Sequence, residues 1–268
     1  MLTDSQIERW LREDLGHHDV TNDVPGETEG RLVAKEAGVV AGLDAATAVF
    51  EYLGCEIADA ATDGDRVEEG ETILVVEGPA REVLRGERVA VNVAGHASGI
   101  ATRTRTAVDA ARDVDSDVAI AATRKTTPGL RGIEKRAVAT AGGDTHRLDL
   151  SHMVMVKDNH VAELGLEGTV SRLRERTSFA TKIEVEVESP EDAERAVEAG
   201  ADIVLFDNLA PEEVTIGVEL VGDEVLTETS GGITIEDVPA YAKTGVDVIS
   251  MGSLTHSAPA LDYSFRTG

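Results

Sequence analysis

Apolar side chains change their spacing along this chain, and the change divides it into two kinds of structure. Near the start, Ile7, Trp10 and Leu11 recur at i, i+3 and i+4 after the capping candidates Asp4 and Ser5. Gly16 supplies a stop, so the spacing predicts a helix. A turn-rich stretch follows. Short elements then alternate: an extended run over residues 31–40, a helix over 43–53 before Gly54, and strands over 57–60 and 72–77. Residues 81–112 are mostly helix formers interrupted by Gly86, Gly95 and Gly99, a pattern that predicts one or two helices.

From Asp117 the pattern becomes regular. Six β-branched-rich apolar runs occupy 118–122, 153–156, 183–187, 203–206, 225–229 and 248–251, with amphipathic helical segments between most of them. Alternating β and α units imply parallel strands with helices outside. The six exits carry Thr123-Arg124-Lys125, Lys157-Asp158-Asn159, Glu186 with Glu188, Asp207-Asn208, Ser230-Gly231-Gly232 and Gly252-Ser253. Polar residues gathered at the C-terminal ends of many strands favour a βα barrel over a doubly wound sheet, which uses mainly one switch point. The expected organisation is a domain over residues 1–104 and a barrel domain over 105–268, with the last dozen or so residues returning to the first domain.

Composition narrows the setting. Asp and Glu number 51 against 25 Lys and Arg, a formal net charge of −26. Such a surface repels nucleic acid and anionic membranes, so neither is an expected partner. The chain has no apolar stretch near the ~20 residues of a membrane span and no signal-like start, so a cytoplasmic protein is expected. Cys55 is the single cysteine, which excludes an intrachain disulfide and a multi-thiolate metal site. Although an acidic mesophilic protein would read similarly, the composition, with only six lysines and 3 % aromatics, suggests a halophilic protein from a salt-accumulating cytoplasm. There the Debye length contracts from ~10 Å at 0.1 M to ~3 Å at 1 M and screens the surface from itself.

In so acidic a chain, Lys125, Lys157, Arg124 and Arg147 at or near strand exits suggest an anion pocket, although pairing with surplus carboxylates would place them similarly. Ser230-Gly231-Gly232, before a helix predicted to start near Thr234, suits a phosphate, and Gly252-Ser253 after the next strand strengthens the reading. Glu186 and Asp207 end consecutive strands, where carboxylates can hold Mg²⁺ through water, bind sugar hydroxyls or steady a cationic transition state; a charged barrel mouth would look the same. Arg81, Arg85 and Arg88 share a helical face and invite pairing with Glu82 and Glu87. His17-His18-Asp19 reads as loop, Cys55 as packing, and His146 and His152, six residues apart, lack a metal-pairing register. Signatures for serine hydrolases, P-loops and dinucleotide folds are absent from the sequence.

Several of these residues fall in longer motifs. ATRKTTPGLR (122–131), GGDTHRLDL (142–150), VMVKDNH (154–160), KIEVEVES (182–189), LFDNL (205–209), TSGGI (229–233) and MGSLTHS (251–257), in this order, resemble the quinolinate phosphoribosyltransferase family. EDLGHHDVTND (13–23) and GERVAVN (86–92) extend the resemblance over nearly the whole chain. It implies an α/β fold with an N-terminal α/β sandwich domain and a C-terminal open six-stranded, TIM-like βα barrel. It also implies a homodimer, or an assembly of dimers, with shared active sites. The implied substrates are quinolinate and phosphoribosyl pyrophosphate, and the implied cofactor is Mg²⁺.

Carried over by residue, Arg88 from the neighbouring subunit, Thr123, Arg124, Lys125, His146, Arg147 and Lys157 would surround quinolinate. Lys125, Glu186, Asp207, Ser230, Gly231, Gly232, Gly252, Ser253 and His256 would meet the phosphoribosyl donor. Lys125, Lys157, Glu186 and Asp207 would form the catalytic set, with Glu186 and Asp207 meeting Mg²⁺. Ala141 and Thr229 depart from the family's pattern, in which a third glycine precedes the His-Arg pair and Glu-Ser precedes Ser-Gly-Gly. Competing readings are a phosphoribosyltransferase for nicotinate or another aromatic base, a barrel aldolase with Lys157 as Schiff-base lysine, and a non-catalytic phosphosugar sensor.

Overall fold

The computed structural model describes residues 2–268, apart from the side chains of Asp158 and Glu163; the Asp158 side chain named above at a strand exit therefore lies outside the description. The elements begin α1 (Asp4–Leu15), β1 (Glu27–Ala34), β2 (Gly38–Val39), α2 (Leu43–Tyr52), β3 (Glu56–Ala60), β4 (Arg66–Val67), β5 (Thr72–Pro79) and α3 (Ala80–Arg112). There follow β6 (Ala119–Ala121), α4 (Arg131–Thr140), β7 (Val154–Val156), α5 (Asp158–Leu164), α6 (Leu166–Arg176), β8 (Ile183–Val187), α7 (Glu191–Glu198) and β9 (Ile203–Asp207). The chain ends with α8 (Pro211–Val221), β10 (Leu226–Ser230), α9 (Val238–Ala242), β11 (Val248–Ser250), α10 (Ser253–His256) and β12 (Tyr263–Thr267). Two compact units divide it. The first holds residues up to Arg105, Thr127–Gly142 and Ser257–Gly268; the second holds Thr106–Thr126 and Gly143–His256.

The first unit is built on an antiparallel sheet in the order β12-β1-β5-β3. Leu32, Leu74 and Val76 bury one face against Phe50 of α2 and Val83 and Ala90 of α3. Phe50 also stacks on Phe265, ring centroids 5.7 Å apart. The extended run expected over 31–40 is two strands, because β1 ends at Ala34 and the chain turns before β2.

The glycines of α3 do not break it; the helix runs unbroken for 33 residues. Their role is close approach. A Cβ on Gly86 would lie 2.7 Å from the Phe50 ring, one on Gly95 would lie 2.9 Å from the Leu261 carbonyl, and one on Gly99 would strike the Pro259 carbonyl. These positions are empty of side chain so that α2 and the C-terminal segment can pack down.

The second unit carries six parallel strands in the order β6-β11-β10-β9-β8-β7. Strands β6 and β7, consecutive in sequence, stand at opposite ends of this order, so the barrel is open. On its helix-facing side Ile183, Val185, Val187, Val204, Phe206 and Ile249 join Val170, Ala193, Ala196, Val214 and Val238 in one apolar core. Each strand thus turns alternate residues to the helices and the others to the barrel interior. The helix expected near Thr234 begins only at Val238 and has five residues. Residues 234–237 form a turn closed by Asp237, whose carboxylate accepts from the Thr234 N–H at 3.0 Å and hydroxyl at 2.8 Å. Any phosphate there meets loop backbone at Gly231 and Gly232 rather than a helix start.

Candidate active site

Strand register builds the site row by row. Glu186 pairs with Leu205, Leu205 with Glu228, and Glu228 with Val248 across β8 to β11. One row nearer the strand ends, Asp207 pairs with Ser230 and Ser230 with Ser250. All of these but Val248, with Met155, Lys157, Thr123, Arg124, Lys125, His146 and Arg147, line a cavity of about 310 Å³. It lies where a βα barrel concentrates its chemistry.

The cationic wall is held by specific contacts. The Lys125 N–H donates to Thr123 Oγ1 at 3.1 Å, and Thr255, buried on α10, donates its hydroxyl to the Lys125 carbonyl at 2.7 Å. A Cβ on Gly252 would lie 2.9 Å from Lys125 Cδ and 3.3 Å from the His256 ring, so the glycine lets both side chains lie across it. Lys157 Nζ is ion-paired with Glu186. Among the described residues the Arg147 side chain has one hydrogen-bond contact, to the Met155 sulfur at 3.1 Å. The Nε atoms of Arg124 and Arg147 are buried without a hydrogen-bond partner among the described residues. Burial and the neighbouring Arg124 charge lower the pKa of Arg147. Two neighbouring guanidinium groups on one cavity wall suit an anion.

Below them lie three groups in contact. His146 Nε2 is 2.9 Å from Glu228 and 3.8 Å from Glu184, both carboxylates being almost fully buried. Burial opposes charge on the imidazole, but the two carboxylates outweigh it and its pKa is pushed up to about 10. Burial raises the pKa of Glu184, whose two oxygens have no hydrogen-bond partner among the described residues. One ligand atom from each of the three residues lies within 4.8 Å of the others, so the cluster can hold a divalent cation.

Family comparisons cover both units. The C-terminal domain model of quinolinate phosphoribosyl transferase matches residues 100–266, and its N-terminal domain model matches 18–98. The chain belongs to this family. It is 46 % identical to the probable nicotinate-nucleotide pyrophosphorylase [carboxylating] of Methanothermobacter thermautotrophicus, over 97 % of each chain. Identity to the human nicotinate-nucleotide pyrophosphorylase [carboxylating] is 41 %, covering 97 % of this chain and 90 % of the relative. The solved structure of NadC from Streptococcus pyogenes superposes with a TM-score of 0.94 at 37 % identity, covering 100 % of this chain and 98 % of that one. A human nicotinic acid phosphoribosyltransferase, 13 % identical with a TM-score of 0.62, shares the fold alone.

Of the residues picked from sequence, nine converge on the cavity: Thr123, Arg124, Lys125, His146, Arg147, Lys157, Glu186, Asp207 and Ser230. Gly231, Gly232, Gly252, Ser253 and His256 stand just past β10 and β11 but do not line it. Ser253 Oγ is buried and unpartnered among the described residues. Arg88, on α3 of the first unit, is not in the lining; its side chain is 58 % exposed and, among the described residues, pairs with Glu87 at 3.5 Å. The pairing expected for its helical face is made by Arg85, which joins Asp19 at 2.9 Å and Glu82 at 3.1 Å. Cys55 is buried, as packing requires.

Sequence reasoning missed Glu184, Glu228 and Met155. Each lies two residues before a residue that was named, on the same strand face, so period-two alternation was the available signal. No helix among the described residues is long and apolar enough to cross a membrane.

Proposed function

We infer that this chain transfers the phosphoribosyl group of phosphoribosyl pyrophosphate to quinolinate with loss of CO₂, giving nicotinate mononucleotide and pyrophosphate. The observation that carries the reading is the pair of neighbouring arginines, Arg124 and Arg147, whose Nε atoms are buried without a hydrogen-bond partner among the described residues, beside Lys125 in a family-matched cavity. A dicarboxylate offers one carboxylate to each arginine; a monocarboxylate offers only one to the pair.

In this reading Thr123, Arg124, Lys125, His146, Arg147 and Lys157 hold the two carboxylates, joined by Arg88 of a neighbouring subunit in a homodimer or an assembly of dimers. The ring nitrogen then faces C1 of the ribose. Glu186 and Asp207 bind the ribose hydroxyls and stabilise the oxocarbenium-like charge at C1 as the C1–O bond to pyrophosphate breaks. The backbone of Gly231, Gly232 and Gly252, with Ser230, Ser253 and His256, receives the phosphates. The new N–C bond leaves the ring nitrogen positive, which stabilises the carbanion at C2 when its carboxylate departs as CO₂. A proton then fills C2. Lys157 exchanges its partner Glu186 for a substrate carboxylate, freeing Glu186 for the donor.

Glu186 and Asp207 end adjacent strands as oxygen donors open to the cavity, and these fit Mg²⁺, which favours carboxylate oxygen and water; the nitrogen-containing cluster below fits it less well. Bound there, Mg²⁺ would neutralise the polyanionic donor. The strongly acidic surface fits a salt-rich cytoplasm. Circular dichroism tests this, the fold being expected to weaken from molar to millimolar KCl, and an unchanged spectrum would remove the halophile reading.

The deciding assay supplies phosphoribosyl pyrophosphate and Mg²⁺ in molar KCl with quinolinate or nicotinate, and follows nucleotide and CO₂ together. Nucleotide and CO₂ from quinolinate alone is the expected result. Nucleotide from nicotinate alone would overturn the dicarboxylate pocket. A borohydride-trapped adduct at Lys157 would mark an aldolase instead.

A further inference from the structure

We propose that Glu228 is a positioning residue for the aromatic acid: it fixes the His146 ring so that the ring's other nitrogen serves a substrate carboxylate. This rests on the quinolinate reading of the cavity. Glu228 lies on β10, in the middle of the parallel sheet, and its row neighbours are Leu205 and Val248. It is 2 % exposed. A carboxylate in such a place is strongly disfavoured without a partner, and the partner is His146 Nε2 at 2.9 Å.

Nε2 donates to the Glu228 carboxylate, and two carboxyl groups beside one ring favour the imidazolium, so Nδ1 carries a hydrogen as well and can donate to an anion. That leaves Nδ1 as the one ring nitrogen without a partner among the described residues, on a side chain that lines the cavity. The histidine is held from its backbone as well. Its φ of 50° is left-handed, a conformation that costs energy for a residue with a side chain, and its N–H is tied to Asp144. Glu184, fully buried at 3.8 Å from the same Nε2, puts a second carboxyl group under the ring. The residue is thus held at its backbone and at Nε2, on a backbone that a merely structural residue would not need to strain.

A double-mutant cycle tests this with wild type, Glu228→Leu, His146→Gln and the double variant, and with Glu228→Gln as the conservative replacement. Leucine suits the apolar row, so the fold should persist, and an unchanged KM for phosphoribosyl pyrophosphate verifies it. Glu228→Leu is expected to raise the KM for quinolinate about 10- to 100-fold, the range for a hydrogen bond to a charged group. Glu228→Gln, whose amide oxygen can still accept from Nε2–H, should recover most of that loss. The double variant should be no worse than His146→Gln alone.

Additive losses, equal damage to both KM values, or equal loss in the Gln and Leu variants would overturn the proposal. So would a stoichiometric divalent metal in the native protein that Glu228→Leu loses. Wild type that releases no CO₂ from quinolinate would overturn the underlying reading instead, which separates the two failures.

Discussion

Replacing Gly231 by alanine tests whether the loops after β9 and β10 are one unit. Gly231 has a φ of +113°, and a Cβ there would lie 2.6 Å from the backbone nitrogen and 2.7 Å from the Cα of Asn208. Asn208 cannot simply retreat. Its own φ is 58°, and its N–H donates to the Ser230 carbonyl at 2.8 Å. Restoring ordinary contact near 3.4 Å forces the two loops apart by roughly 0.8 Å. The unfavourable φ costs about 1–3 kcal/mol, and the overpacking a further ~1–3 kcal/mol. The combined load of about 2–6 kcal/mol lies below most of the roughly 5–15 kcal/mol stability of such chains, so the variant is expected to fold.

At roughly 2–4 °C per kcal/mol, the melting temperature should fall by about 5–20 °C. A displacement near 1 Å between Asp207 and the glycine loop should lower kcat/KM for phosphoribosyl pyrophosphate on the order of 100-fold. Gly54→Ala is the control, because Gly54 has a φ of +81° with nothing within 4 Å. It should lose stability and keep activity. The measurements are steady-state kinetics and thermal melting of both variants. If Gly231→Ala melts lower but turns over like Gly54→Ala, the two loops do not share the donor's phosphate and the glycine is a fold residue only.

Four further outcomes follow. Gly99→Ala would drive a methyl into the Pro259 carbonyl and to 2.9 Å from Ala260 Cα, so a loss above about 4 kcal/mol is expected in urea titration; Gly132→Ala, facing only a flexible Arg136 tip at 3.7 Å, should gain about 0.5–1 kcal/mol. Arg88→Ala should raise the KM for quinolinate about 10- to 100-fold while leaving that for the phosphoribosyl donor unchanged; an equal rise in both would remove Arg88 from the acid's site. Tyr263 is buried and its hydroxyl donates to Ser98 Oγ at 2.8 Å; burial pushes its pKa up to about 12. The folded state therefore holds this proton more tightly, and about 3 kcal/mol of stability, complete below pH 10, should drain away between pH 10 and 12; Tyr263→Phe should flatten that alkaline limb, measured by denaturant titration.

Where backbone geometry follows from local spacing, the sequence was a reliable guide. The stop at Gly16 sits at φ 60°, and the six apolar runs are the six parallel strands. It misled where a residue answers to a distant neighbour. Gly86, Gly95 and Gly99 look like helix breakers in a one-dimensional reading, yet what they answer to is Phe50 and the segment from Pro259 to Leu261. The helix start expected after Ser-Gly-Gly failed for a similar reason. Thr234 and Asp237 close a turn with their own side chains, offering the backbone an alternative to a helical first turn.

The buried carboxylates show a different limit. With 51 acidic residues in the chain, a glutamate carries almost no information by its identity. Context supplies it. A parallel strand covered on both faces should read as a continuous apolar run, and β6, β7 and the first residues of β11 do so as AIA, VMV and VI. IEVEV and LTETS break that rule, and the residues that break it on the interior face are Glu184, Glu186, Glu228 and Ser230. All but Glu184 line the cavity, and Glu184 lies beneath His146. Polar side chains inside this barrel therefore sit at a cost that packing does not explain, and the row below the strand exits, through Glu186, Leu205 and Glu228, lines the candidate site as the exits do.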